Sequence, residues 1–135
     1  MSLPDDRGAA RVVLLADDDE WSRLAAAALL QFLGWSVVEA FDGAHAVEVL
    51  RESLAAGRRV DAAVLDVRMP RMNGAEALRA LRLLQPGLPA VICTGFAESQ
   101  LDPALLATEG VRFLPKPFTI DQMSRALAAA ASAVP

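Results

Sequence analysis

Short apolar runs alternate with longer stretches of helical periodicity along most of the chain. Val12-Val-Leu-Leu-Ala16 contains no polar residue, the pattern of a strand covered on both faces. Glu20 to Leu33 follows a helical period and meets Gly34, while Ser36-Val-Val-Glu-Ala40 reads as a half-exposed strand. Asp42-Gly43 is a turn that opens a second helix, predicted to run to about Ala56 and stop at Gly57. Val60 to Leu65 is a third strand and Ala75 to Leu84 a third helix, ended by Gln85-Pro86-Gly87. Leu88 to Thr94 is a fourth strand. Asp102-Pro103 has the form of an N-cap with proline at the first helical position. A short helix from Pro103 to Glu109 is therefore expected, after a loop from Gly95 to Leu101 and before Gly110. Val111 to Leu114 is the fifth strand and Thr119 to Ala133 the last helix.

Five strand–helix units with short connections predict an α/β fold: an open, mostly parallel sheet with helices on both faces. Residues 1–10 read as a flexible tail and 11–133 as one domain. Composition agrees, since 135 residues with 54% apolar and 22% charged side chains suffice for one buried core. A net charge of −4 gives no electrostatic reason to bind nucleic acid or an anionic membrane. The single cysteine, Cys93, excludes an internal disulfide and a cysteine-built metal site, and its place inside a strand marks it as a small core residue. Leu24 to Leu30, the longest apolar run, is too short to span a bilayer, and Met1 to Gly8 lacks the basic-then-apolar order of a secretion signal. The expected location is the cytoplasm.

In an open α/β sheet the functional crevice lies at the carboxyl ends of the strands. Strand one ends in Asp17-Asp18-Asp19-Glu20, strand three in Asp66, strand four in Thr94, and Lys116 follows strand five. Asp17, Asp18 and Asp66 crowded together repel one another unless a cation neutralises them, and hard oxygen ligands with room for water suit Mg²⁺. Asp66 is then placed to act as a nucleophile toward phosphorus, with the Thr94 hydroxyl and the Lys116 ammonium facing phosphoryl oxygens. Twelve arginines against one lysine make Lys116 distinctive, because a compact ammonium does what a planar guanidinium cannot.

Four segments in order carry a family resemblance: Val12-Val-Leu-Leu-Ala-Asp-Asp-Asp19; Asp61-Ala-Ala-Val-Leu-Asp-Val-Arg-Met-Pro70 with Asn73-Gly74; Ile92-Cys-Thr-Gly95; and Phe113-Leu-Pro-Lys-Pro-Phe118. The chain resembles a response-regulator receiver domain over residues 11–133. The resemblance implies a flavodoxin-like doubly wound (βα)5 fold with strand order 2-1-3-4-5. It implies that Asp66 takes a phosphoryl group from the phosphohistidine of a sensor histidine kinase or a histidine phosphotransfer protein. It further implies Mg²⁺ held by Asp17, Asp18, Asp66 and the Arg68 backbone carbonyl, a switch made of Thr94 and Phe113, and a cis bond before Pro117. Such a domain catalyses only its own phosphorylation and dephosphorylation. Dimerisation on phosphorylation and the downstream target stay open.

Several residues depart from the family pattern. Phe113 stands where tyrosine is common, Pro115 directly precedes Lys116 and cannot donate a sheet hydrogen bond, and Pro103 falls within the usual span of helix four. Arg68 and Phe96 occupy the variable positions two residues beyond Asp66 and Thr94, where a long cation and a ring are expected to alter the acyl-phosphate lifetime. Cys93-Thr-Gly-Phe96 resembles receivers attached to hybrid histidine kinases, so the chain is alternatively a module of such a kinase or of a larger regulator. Two further alternatives are a pseudo-receiver and a haloacid-dehalogenase-type phosphatase with Asp17 as nucleophile; the latter leaves Asp66 without a role. Asp19 and Glu20 read as helix-start acids, His45 as solvent-exposed and inert, and Trp21 as a partly buried aromatic near the site mouth. The first helix has more apolar positions (Leu24, Leu29, Leu30, Phe32, Leu33) than one buried stripe requires, which suggests a docking face for a phosphodonor helix.

Overall fold

The computed structural model describes residues 11–95 and 103–132, at 104 and 106 the backbone alone. Phe96, Asp102 and the tail at 1–10 lie outside the described residues. The elements are β1 (Val12–Ala16), α1 (Glu20–Phe32), β2 (Ser36–Ala40), α2 (Gly43–Ala55), β3 (Ala62–Asp66), α3 (Gly74–Leu84), β4 (Ala90–Thr94), α4 (Pro103–Leu106), β5 (Val111–Pro115) and α5 (Ile120–Ser132). The five strands form one parallel sheet in the order β2-β1-β3-β4-β5.

The sheet separates two apolar layers. On one face Leu14, Leu65 and Ile92 pack with Leu50 of α2, Leu78 and Leu81 of α3 and Leu105 of α4. On the other, Val13, Leu15, Val64 and Val91 pack with Ala26, Ala27 and Leu30 of α1 and Met123 and Leu127 of α5. The unbroken apolar runs of β1, β3 and β4 are explained by this arrangement, because neighbouring residues on each strand enter opposite cores. Pro115 sits on β5, an edge of the sheet, where its missing N–H removes no interior ladder bond.

Element ends follow local chemistry. Asp19 N-caps α1 by accepting from the Ser22 amide at 2.9 Å, and Asn73 and Glu76 form a reciprocal capping box on α3. Thr119 and Gln122 make the same exchange at the start of α5, at 2.8 and 3.1 Å. Gly34 and Gly57 follow α1 and α2 with φ of +96° and +81°, the left-handed stop that glycine adopts most readily.

Three expected boundaries shift by two residues or more, the others by at most one. The third strand starts at Ala62 rather than Val60, because the Gln85 side chain takes both Val60 backbone groups, N–H at 3.2 Å and C=O at 2.7 Å. The fourth starts at Ala90 because the Leu88 carbonyl accepts from Arg82 Nε and Nη2. The fourth helix ends at Leu106, not Glu109: Thr108 N–H turns back to the Leu105 carbonyl at 3.2 Å in a tighter turn, and Gly110 closes it at φ +73°.

Two side-chain expectations are corrected. Trp21 is 79% exposed, because it lies on the face of α1 opposite Ala26, Ala27 and Leu30. His45 is neither fully exposed nor without partners: its Nδ1 accepts from the Phe41 amide at 3.1 Å, and its ring stacks on Phe41 with centroids 4.0 Å apart. Cys93 is buried as expected, and burial pushes its thiol up to about 12.

Candidate functional site

Strand order brings the ends of β1 and β3 side by side, and parallel register puts Ala16 level with Leu65, so Asp17 and Asp66 leave the sheet together. Asp18 follows at the surface. One carboxylate oxygen from each of Asp17, Asp18 and Asp66 lies within 4.8 Å of the others. Asp17 is buried and Asp18 exposed, so the cluster is open on one side.

Lys116 reaches across from the end of β5. Its Nζ lies 3.3 Å from Asp17 Oδ2, 3.5 Å from Asp66 Oδ1 and 3.1 Å from Ser22 Oγ. Its backbone N–H donates to the Thr94 carbonyl at 2.8 Å, which ties the lysine to the strand carrying Thr94. The Lys116–Pro117 peptide bond is cis. Thr94 itself is buried and closes β4, while Phe113 is half-buried against the core beneath α2, α3 and α4.

Three carboxylates against one ammonium leave the cluster with excess negative charge. Burial pushes the Asp66 carboxyl above the usual carboxylate range; Lys116 opposes this, while Asp17 and Asp18 add to it. Burial alone would lower the Lys116 ammonium, but the Asp66 and Asp17 carboxylates outweigh it and push its pKa up. An all-oxygen, over-charged cluster open to solvent fits a hard divalent cation that keeps several waters.

The supporting residues were not legible as such in the sequence. Ser22 holds Lys116 from α1. Arg23 donates Nη1 to the Asp17 carbonyl at 2.8 Å and Nε to Glu39 Oε1 at 3.1 Å, pinning the acidic turn between α1 and β2. The signal for Arg23 is its isolation, a single charge at the head of Leu24-Ala-Ala-Ala-Ala-Leu-Leu30. Gly74 is required for a different reason. A Cβ there would stand 2.8 Å from the Asp66 carbonyl oxygen, so α3 packs against the backbone of the central acid. A cleft lined by Asp18, Val67, Arg68, Met69, Pro70 and Asn73 opens beside the carboxylates.

A parallel 2-1-3-4-5 sheet with carboxylates, a threonine and a lysine at one rim defines a receiver fold. The chain belongs to the response regulator receiver domain family, whose model matches residues 13–128. It is 36% identical over 119 residues to the sensor kinase CckA of Brucella abortus, covering 88% of this chain and 12% of that protein. It is also 36% identical over 111 residues to the response regulator MprA of Mycobacterium sp. strain KMS, covering 82% of this chain and 46% of that one. The chain thus spans less than half the length of either relative. Among solved structures, a response regulator receiver protein of Sinorhizobium medicae aligns with a TM-score of 0.78 and 30% identity, over 92% of this chain and 96% of that one. The receiver domain of a Pseudomonas aeruginosa sensor histidine kinase, with magnesium coordinated in its active-site cleft, aligns at 0.77 and 28% identity, over 92% and 99%. No helix among the described residues is long and apolar enough to cross a membrane.

Proposed function

We propose that the chain is a phosphoacceptor switch that takes a phosphoryl group from a phosphohistidine onto Asp66, with Mg²⁺ held by Asp17, Asp18, Asp66 and the Arg68 backbone carbonyl. The observation that carries this is Lys116, whose ammonium touches both Asp17 and Asp66 at the open cluster of three carboxylates. Bound Mg²⁺ would neutralise the carboxylates and add positive charge beside the incoming phosphoryl oxygens. An Asp66 oxygen attacks phosphorus, the P–N bond to the donor imidazole breaks, and its electron pair stays on that nitrogen. Lys116 turns from Asp66 to a phosphoryl oxygen, and the Thr94 hydroxyl donates to another. Phe113 follows Thr94 inward, shifting the population of the face formed by α4, β5 and α5. Arg68, at the cleft mouth, sets how readily water reaches the acyl phosphate.

The donor is a sensor histidine kinase or a histidine phosphotransfer protein, and the similarity to a segment of the sensor kinase CckA supports a histidine-kinase signalling context. Trp21, Leu24 and Phe32 are all exposed on α1, one to three turns from the acidic cluster. Beside them Ala25, Ala26, Leu29, Pro117 and Phe118 line a recess that ends at Lys116. This face suits the apolar side of a donor helix whose histidine must reach Asp66.

The test is intact mass after incubation with acetyl phosphate and Mg²⁺. A single phosphoryl adduct is expected, absent from Asp66→Asn and from protein kept in a chelator. Folded wild-type protein that takes up no phosphoryl group overturns the reading. Sustained phosphate release that survives Asp66→Asn would transfer the nucleophile's role to Asp17.

A further inference from the structure

Two loops beside the acidic cluster are fastened to each other by residues outside it. Asp42, 4% exposed, caps α2 by accepting from the His45 amide at 2.7 Å, and its Oδ2 accepts from Arg71 Nη2 in the β3–α3 loop. Gly43 permits that approach: a Cβ there would lie 2.6 Å from the Met72 carbonyl oxygen and 2.9 Å from Met72 Cβ. Arg71 has φ of +69°, and the Met72 N–H closes on the Pro70 carbonyl at 2.7 Å in a γ-turn. An L residue holds such a backbone only where its surroundings impose it. Here the Asp42 carboxylate and the Gly43 contact impose it.

Arg68 lies on the same loop, between this clamp and the sheet. On the sheet side the Val67 N–H donates to the Cys93 carbonyl at 3.0 Å, and the Gly74 N–H returns to the Val67 carbonyl at 3.1 Å. Buried Met69 and half-buried Met72 pack into the core and fix the loop between those points. A backbone carbonyl cannot be re-aimed by a change of rotamer, so the direction of the Arg68 carbonyl is set by the path of the loop alone.

We infer that Asp42 and Arg71 are positioning residues for the divalent cation: their ion pair fixes the β3–α3 loop so that the Arg68 carbonyl faces the Asp17, Asp18 and Asp66 carboxylates. The inference rests on the proposed cation site. Neither residue touches the cation, and they act as the outer partners of a metal ligand do, by holding it in place.

The experiment is calorimetric titration of Mg²⁺ into wild type, Arg71→Gly, Arg71→Lys and Asp42→Asn, with thermal unfolding of each in a chelator. Arg71→Gly removes the ion pair while accommodating the positive φ, so it keeps the fold even if Asp42→Asn does not. Its Kd for Mg²⁺ is expected to rise about tenfold, as on loss of an outer partner. Arg71→Lys, which keeps the charge, is expected to recover most of the affinity. A lowered melting temperature with Mg²⁺ affinity unchanged marks a clamp that only stabilises the fold, and overturns the inference. Folded wild-type protein that binds no Mg²⁺ overturns the cation site and the inference with it, whereas normal wild-type binding matched by Arg71→Gly overturns the clamp alone.

Discussion

Asp42 shows how far a single side chain can be read from its neighbours. Burial alone would push its carboxyl up, but the His45 amide and the Arg71 guanidinium outweigh burial and hold it below the usual carboxylate range. A carboxyl depressed in the folded state stabilises fully above its unfolded value, near 3.9, and that contribution is lost as pH falls through the lower folded value. Asp42→Asn is therefore expected to lower the urea midpoint at pH 7, with the gap to wild type closing below about pH 4. A gap that stays constant to pH 3 would mean that the charge of Asp42 contributes nothing. In the sequence Asp42 was legible only as half of a turn. Its partner lies 29 positions away, and no local pattern links the two. Asp17, Asp18, Asp66, Thr94 and Lys116 were legible because each stands at or just past the end of an apolar strand, where the fold itself gives a position its meaning. Ser22, Arg23 and Arg71 act through tertiary contacts and had no such marker.

At the scale of elements, β1 and β2 were legible to the residue, since apolar runs bounded by charge or glycine leave little freedom. Differences arose where a side chain replaces backbone pairing. Val60 was expected in the third strand, yet Gln85 meets its N–H and C=O with one amide, in effect a strand partner made of a side chain. Gln85 is 4% exposed, so the site excludes water as well. Gln85→Leu leaves two buried backbone groups unpaired and is expected to cost about 2–4 kcal/mol, measured as a fall in the urea midpoint with the slope unchanged. A loss below about 0.5 kcal/mol would show that the strand extends to pair Val60. The short α4 belongs to the same scale. Proline and glycine marked its two ends correctly in kind, but only the closing hydrogen bond from Thr108 decides where the helix stops.

At the scale of the whole molecule, the parallel sheet with both faces covered followed from five alternating units and the strand order from the family resemblance, while the reach of Lys116 onto both Asp17 and Asp66 needed coordinates. The fold gathers Asp17, Asp18 and Asp66 within 4.8 Å against a single ammonium, so a cation that binds them stabilises the folded chain over the unfolded one. Mg²⁺ at about one hundred times its Kd is expected to add about 2.7 kcal/mol to unfolding. The same addition should leave the melting temperature of Asp17→Asn nearly unchanged. Equal stabilisation of both proteins would place the cation elsewhere. Lys116 also gives the molecule a chemical handle. It supplies the only ε-amine in 135 residues, held among two carboxylates and a hydroxyl with its side chain 29% exposed. An amine-acylating reagent then has two targets, this one and the chain's amino terminus. Because the carboxylates keep it protonated, Lys116 should acylate slowly in the native fold and readily once unfolded. The count of acyl groups on the intact chain is thus a direct reading of whether that rim is assembled.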